Sequence, residues 1–241
     1  MTDPDARRIE IAENLRRVRD RIDAACQAAG RPAEQVSLIA VTKFFPATDA
    51  VHLAELGVTD LGENRDQEAS AKASEFAELS ERPVRWHFIG QLQTNKARSV
   101  VRYADLVHSV DRPQLADALA GAAERAGRVL PVLVQLSLDA PETGPGRGGS
   151  AQDELLRLAD RIAGLATLRL AGVMAIAPLD ADPDPAFAQL ARAAAAVQAA
   201  HPAATVISAG MSGDLEAAIR HGATHVRVGT ALLGRRATHF R

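Results

Sequence analysis

Aromatic residues are scarce in this 241-residue chain: phenylalanine, tyrosine and tryptophan make up 3%, and Tyr103 and Trp86 are each alone of their kind. Stacking platforms for single-stranded nucleic acid need several such rings, so that class is disfavoured. Charge of one sign is also lacking, since 28 Lys and Arg stand against 30 Asp and Glu for a formal balance of -2. Without basic blocks, neither nucleic acid nor an anionic membrane is an expected partner. Cys26 is the only cysteine and cannot close an intramolecular disulfide. No leader pattern or long apolar run stands out, and the chain reads as a reduced, cytoplasmic, globular protein. What it does have is 47% hydrophobic residues, enough for a sizeable core, and a length suited to one α/β barrel.

Ile11, Leu15, Val18 and Ile22 share one face of a helix that ends near Gly30-Arg31-Pro32, so residues 1–30 are expected to dock as an N-terminal helix with a solvated outer face. From Val36 the pattern changes to eight short apolar runs: VSLIAVTKF, TDLGEN, VRWHFIG, DLVHSV, VLPVLVQLSL, LRLAGVMAIA, ATVISAGM and THVRVGTALLG. Segments with helical spacing separate them, including Ala50, Leu53, Ala54 and Leu56 and the Ala-rich stretch 191–200. Buried strands alternating with helices imply parallel β/α units, and eight of them predict a single closed (β/α)8 barrel over residues 1–241. An open doubly wound sheet is the structural alternative. The Gly-rich stretch PETGPGRGGS reads as a loop; it lacks the lysine of a nucleotide-binding P-loop.

Barrels of this kind carry their chemistry at the C-terminal ends of the strands. Lys43 closes the first run and by alternation shares a face with Ile39 and Val41. An amine held against low-dielectric walls populates its neutral form, the form that attacks an aldehyde to make a Schiff base; a strand-end lysine reaching for water is the plainer reading. Asn64, after Gly62-Glu63, either faces a ligand or satisfies its own turn. His87 and His108 lie inside apolar runs and read first as satisfied core histidines. The seventh run ends in Ser208, Gly210, Met211 and Ser212 before a helix beginning near Asp214, and the eighth continues into Gly229 and Thr230. Two such loops after strands seven and eight suit a phosphate, with an ordinary N-cap by Ser212 or Asp214 as the alternative for the first. Arg227, between Val226 and Val228, must be paired with a barrel carboxylate or aimed at a ligand. No metal site or thiolate cluster competes: Gly222 directly follows His221, so His221 and His225 straddle a helix end.

AVTKF, LGEN, WHFIGQLQTNK, LAGVMAI, SAGMSGDLEAAI and VRVGTALLG, in this order and spacing, resemble the motifs of the YggS/PROSC family of pyridoxal-phosphate-binding homeostasis proteins, from about Ile9 to Arg236. The resemblance implies the barrel of the alanine racemase N-terminal domain, with pyridoxal 5'-phosphate (PLP) held as an aldimine on Lys43. It further implies phosphate binding by Ser212, Gly229 and Thr230 beside the segment 208–211, Asn64 near the ring substituents and Arg227 near the pyridine nitrogen. An arginine there, always charged, would disfavour protonation of that nitrogen and weaken the ring as an electron sink. Three departures touch the surroundings rather than Lys43 or the phosphate cup: Arg65 where many relatives have an aromatic, Ala209 where many have Met, and Arg147 where a lysine is common.

Racemases of the related fold add a β domain and a tyrosine opposite the lysine. Tyr103 lies before the fourth strand, the wrong end for a strand-tip acid or base, and no second group for two-faced proton transfer is evident. The expectation is a monomeric carrier that buffers PLP or passes it to apo-enzymes by transient contact, with a racemase-like enzyme as the alternative.

Overall fold

Each apolar run of the sequence supplies one strand. They are β1 (Ser37–Val41), β2 (Asp60–Glu63), β3 (Arg85–Phe88), β4 (Leu106–Val110), β5 (Leu130–Gln135), β6 (Leu168–Met174), β7 (Val206–Ser208) and β8 (His225–Val228). In the computed structural model, which describes residues 4–139, 148–178 and 181–234, all neighbours pair in parallel and the sheet closes in chain order, β8 returning to β1. The doubly wound alternative is thereby excluded. Arg147 and most of the PETGPGRGGS stretch lie outside the described residues.

Between the strands run α2 (Ala47–Glu55), α3 (Asp66–Leu79), α4 (Ala97–Tyr103), α5 (Pro113–Arg125), α6 (Leu155–Ala163), α7 (Pro183–Ala200) and α8 (Leu215–Arg220), and after β8 comes α9 (Thr230–Leu233). Alternation divides the strand residues between two layers. Ala40, Leu61, Val226 and Val228 face outward and pack against the helices, while Leu106, Leu133 and Met174 form a small apolar cluster of their own. Burial of the Leu, Val and Met side chains among these, worth roughly 1.5–3 kcal/mol each, holds the layers together.

The N-terminal helix α1 (Pro4–Ala28) docks as its spacing predicts: Ile11, Leu15, Val18 and Ile22 are all buried. It lies across α8, α9 and α2. Polar anchors fix its register there. Asn14 donates to the Leu232 carbonyl at 3.0 Å, Arg7 pairs with Asp49 at 2.6 Å, and Arg31, just beyond α1, donates to the Ile219 and Ala223 carbonyls. No described helix is long and apolar enough to cross a membrane.

Candidate functional site

Because β8 pairs with β1, the C-terminal ends of β7, β8, β1 and β2 form one contiguous arc of the barrel rim. Lys43, Asn64, Ser208, Gly210, Met211, Ser212, Arg227, Gly229 and Thr230 all belong to this arc. Lys43 does not close β1, as the sequence suggested, but sits just past its end at Val41. Thr42 N–H still donates to the Gly62 carbonyl at 3.0 Å, but the Phe45 N–H turns back to the Thr42 carbonyl at 3.0 Å, so Lys43 lies in a turn where the face it was expected to share with Ile39 and Val41 is no longer set by strand alternation. The half-buried lysine is followed by Phe44 at φ 69°, a left-handed conformation uncommon for a bulky residue and found where surroundings over-determine the backbone. The Arg65 guanidinium lies 5.1 Å from the Phe44 ring centroid, a cation–π contact.

Behind Lys43 lies an ion pair that the sequence reading missed. Glu63 on β2 and Lys72 on α3 are both buried and in direct contact; Thr42 donates to the same carboxylate oxygen at 2.6 Å, and Lys72 also donates to the Thr42 carbonyl at 2.6 Å. Both charges thus hold the residue immediately before Lys43. A lysine in the run DQEASAKASEF carries no signal for this, because helix-face lysines are ordinarily solvated. Glu63 Oε2 and Asn64 Oδ1 are buried without a hydrogen-bond partner among the described residues. Asn64 also lines a cavity of about 560 Å³ beside the rim, with Arg65, Gln91 and Lys96.

The loops after β7 and β8 are tied to one another. Ser212 Oγ accepts from the Ala231 N–H at the start of α9 at 3.3 Å, and Asp214 caps the turn by accepting from the Met211 N–H at 2.5 Å. Neither side chain caps α8 in the ordinary way. Gly210, at φ +89°, allows the turn, and its carbonyl accepts from the Arg227 N–H at 2.9 Å. Gly229 is needed for close approach: a Cβ there would lie 3.1 Å from the Val41 carbonyl at the end of β1. From outside, Arg21 on α1 donates to the Ser212 carbonyl at 3.0 Å and pairs with Glu216 at 2.7 Å.

Arg227 is 4% exposed, and no described carboxylate pairs with it. Nη1 donates to Ser208 Oγ at 2.7 Å and Nη2 to the Ala175 carbonyl at 2.9 Å. Burial pushes the guanidinium down to about 10, with Asp214 acting in the opposite direction, so it stays charged at neutral pH. His87 and His108 are satisfied core histidines, as their setting suggested, but they are satisfied by each other at 2.9 Å. The hydroxyl of Tyr103 reaches Asp66 at 3.4 Å, and burial, reinforced by Asp66, pushes the phenol up.

Residues 11–237 match the family described as alanine racemase, N-terminal domain. The pyridoxal phosphate homeostasis protein of Mycobacterium leprae (strain TN) is 45% identical over 240 residues, 95% of this chain and 93% of that protein. The chain belongs to the pyridoxal phosphate homeostasis protein family. Its namesake in Escherichia coli (strain K12) is 38% identical over 94% of this chain and 97% of its own length. Among solved structures of similar proteins is PipY of Synechococcus elongatus PCC7942 with PLP bound, at a TM-score of 0.80 and 35% identity over 93% of this chain and all of that one. Alanine racemase from Corynebacterium glutamicum shares the barrel alone, with a TM-score of 0.69 and 17% identity over 97% of this chain and 62% of that one.

Proposed function

We propose that this pyridoxal phosphate homeostasis family member binds PLP on the arc formed by β7, β8, β1 and β2, and buffers or delivers it in the cytoplasm. The observation that carries the reading is the convergence on one arc of a half-buried lysine, two cross-tied loops and a buried arginine that no carboxylate pairs with among the described residues. The residues suit the group: Arg227 has guanidinium N–H groups beyond the two already committed, and Asn64 Oδ1 is an orphaned acceptor. The backbone of Gly229 packs against the end of β1, next to Lys43.

In this reading Lys43 attaches the cofactor covalently. Ser212, Gly229 and Thr230 hold its phosphate beside the segment 208–211, Asn64 meets the ring substituents and Arg227 donates to the ring nitrogen. When bound, PLP supplies an electrophilic carbon and a conjugated ring able to accept electrons. Arg227 keeps a fixed positive charge at that ring and offers no proton, which favours holding the cofactor over carbanion chemistry. The only tyrosine of the chain has its hydroxyl on Asp66, which also favours a carrier over a racemase. Single-barrel organisation over 1–241, a monomeric state and transient contact with apo-enzymes complete the proposal; the lone, buried Cys26 suits a reducing compartment.

The test is borohydride reduction of the PLP-loaded protein followed by peptide mapping. The adduct is expected on Lys43 and is lost in Lys43→Ala. A protein that takes up no PLP, or an adduct on another lysine, refutes the assignment.

A further inference from the structure

A continuous line of buried hydrogen bonds crosses the barrel interior from Arg227. Arg227 Nη1 donates to Ser208 Oγ at 2.7 Å; Ser208 Oγ lies 2.9 Å from His108 Nδ1; His108 Nε2 lies 2.9 Å from His87 Nδ1; and His87 Nε2 lies 2.7 Å from Asp60 Oδ1. Five strands contribute to it or brace it: β2, β3, β4, β7 and β8. Its far end opens on a cavity of about 330 Å³, lined by Asp60, Arg85, Arg19 and Asp23, at the N-terminal face of the barrel.

The two ends have fixed chemistry. A guanidinium can only donate. Asp60 can only accept: burial alone would raise its carboxyl, but hydrogen bonds from His87, Arg85 and Thr59 hold it well below the usual carboxylate range. Between these ends three proton arrangements satisfy every link. In the first, both imidazoles are neutral and carry their proton on Nε2, and the Ser208 hydroxyl donates to His108. In the second, His87 carries an extra proton, each histidine donates from Nδ1, and the Ser208 hydroxyl is released to point elsewhere. In the third, His108 carries the extra proton and donates from both nitrogens, and the Ser208 hydroxyl is again released.

The charge count selects the first. Asp60, the one carboxylate on the line, already pairs with Arg85 at 2.8 Å. A cationic His87 would face His108, His225 with its ring centroid 6.3 Å away, and Arg85, with Arg227 at the end of the line. Burial first, and then the positive groups around it, push His108 well below the ordinary histidine range, which excludes the arrangement with the extra proton on His108.

We propose that His108 and His87 are positioning residues, which run the hydrogen bonds one way from Arg227 to Asp60 and thereby lock Ser208 and the plane of the Arg227 guanidinium for the cofactor ring. The inference rests on the reading of Arg227 as the ring-nitrogen partner. It assigns a role to buried groups that act on the cofactor only through Ser208 and Arg227. A buried polar axis beside an apolar cluster is tolerated only when every member is satisfied, and this one is.

The test uses two readouts. Ring-nitrogen NMR of the full-length, ligand-free protein at pH 7.5 is expected to show both histidines neutral and protonated at Nε2. A proton on Nδ1 of either histidine, or a cationic His87, overturns the one-way arrangement. The second readout is the PLP affinity and absorption spectrum of His108→Phe and His108→Gln. Loss of one buried, charge-coupled link corresponds to about a tenfold loss of affinity with a displaced absorption band in His108→Phe. His108→Gln, whose amide offers an acceptor and a donor at similar separation, is expected to recover most of both. Equal affinity and an unchanged band in His108→Phe would overturn the positioning role. Should His108→Phe fail to fold, His87→Leu breaks the next link of the same line while leaving Ser208 and its contact with Arg227 in place, and the same two outcomes apply. If the wild-type protein binds no PLP, the functional reading fails by itself, while the tautomers of the ligand-free protein still decide the relay.

Discussion

Arg227→Met separates a structural role for the last strand's arginine from a binding role. The guanidinium is buried, holds two neutral acceptors and pairs with no carboxylate among the described residues, and burial takes it from the ordinary arginine value down to about 10. Each tenfold change in a proton equilibrium is worth about 1.4 kcal/mol, so carrying this charge costs the empty protein on the order of 3 kcal/mol. Methionine removes that cost and fills most of the volume. It leaves the Ala175 carbonyl without its donor, a loss of roughly 1–3 kcal/mol, while Ser208 keeps its contact with His108. The two sides cancel, or leave a gain of up to about 2 kcal/mol in the unfolding free energy of the ligand-free protein. Urea unfolding is the assay: the midpoint should hold or rise at constant slope. PLP at a hundred times its Kd should stabilise the wild type by about 2.7 kcal/mol, and every tenfold loss of affinity in the variant removes about 1.4 kcal/mol of that. A ligand-free variant less stable by more than about 3 kcal/mol would show that the arginine holds the barrel together. An undiminished response to PLP would show that it holds no cofactor.

Other perturbations follow from the same geometry. Burial, then repulsion from His87, holds His225 down to about 4 against an ordinary 6.5. Between those values the unfolded chain takes up a proton and the native one does not, so stability is intact above pH 6.5 and falls by up to about 3 kcal/mol as pH drops towards 4. Thermal unfolding should show this decline in the wild type and a smaller one in His225→Gln; equal declines would contradict it. Lys72→Met strands the Glu63 carboxylate in the wall behind Lys43 and should cost about 3–5 kcal/mol by chemical denaturation, most of it recovered on adding Glu63→Gln. Gly210→Ala combines a left-handed backbone with a Cβ only 2.6 Å from that of Ala218 and should cost about 2–4 kcal/mol. Gly213→Ala meets nothing within 4 Å and serves as the comparison, expected to stay within about 1 kcal/mol of wild type.

Periodicity made the barrel legible because strands buried on both faces appear as unbroken apolar runs, and each of the eight runs contains its strand. The four-three-four spacing of Ile11 to Ile22 made α1 legible for the same reason, since burial of one face needs nothing beyond the helix's own sequence. The rim residues could be named from their place at strand ends. What could not be read were contacts between separate units. Glu63 and Lys72 look like solvated helix and turn residues until α3 lays one over the other. His87 and His108, 21 residues apart, become partners only through the register of β3 against β4. Arg227 was rightly marked as needing company, but its acceptors, a hydroxyl on β7 and a carbonyl just past β6, carry no charge pattern a sequence could reveal. Even the position of Lys43 just beyond β1 reflects the sharp turn at Phe44, which no local residue preference foretells.

The anchoring of α1 also bears on biosynthesis. Arg21 holds the Ser212 carbonyl across 191 positions of chain, and Asn14 holds that of Leu232 across 218. Contacts so distant in sequence are slow to form, and translation delivers only about 5–20 residues per second. α1 therefore waits, with the part of its apolar face that α8 and α9 cover still open, until those helices are made. Until then the barrel has an open seam between β1 and β8, and the paired loops have nothing to brace them. Support of the paired loops from α1 therefore arises only once α8 and α9 are in place.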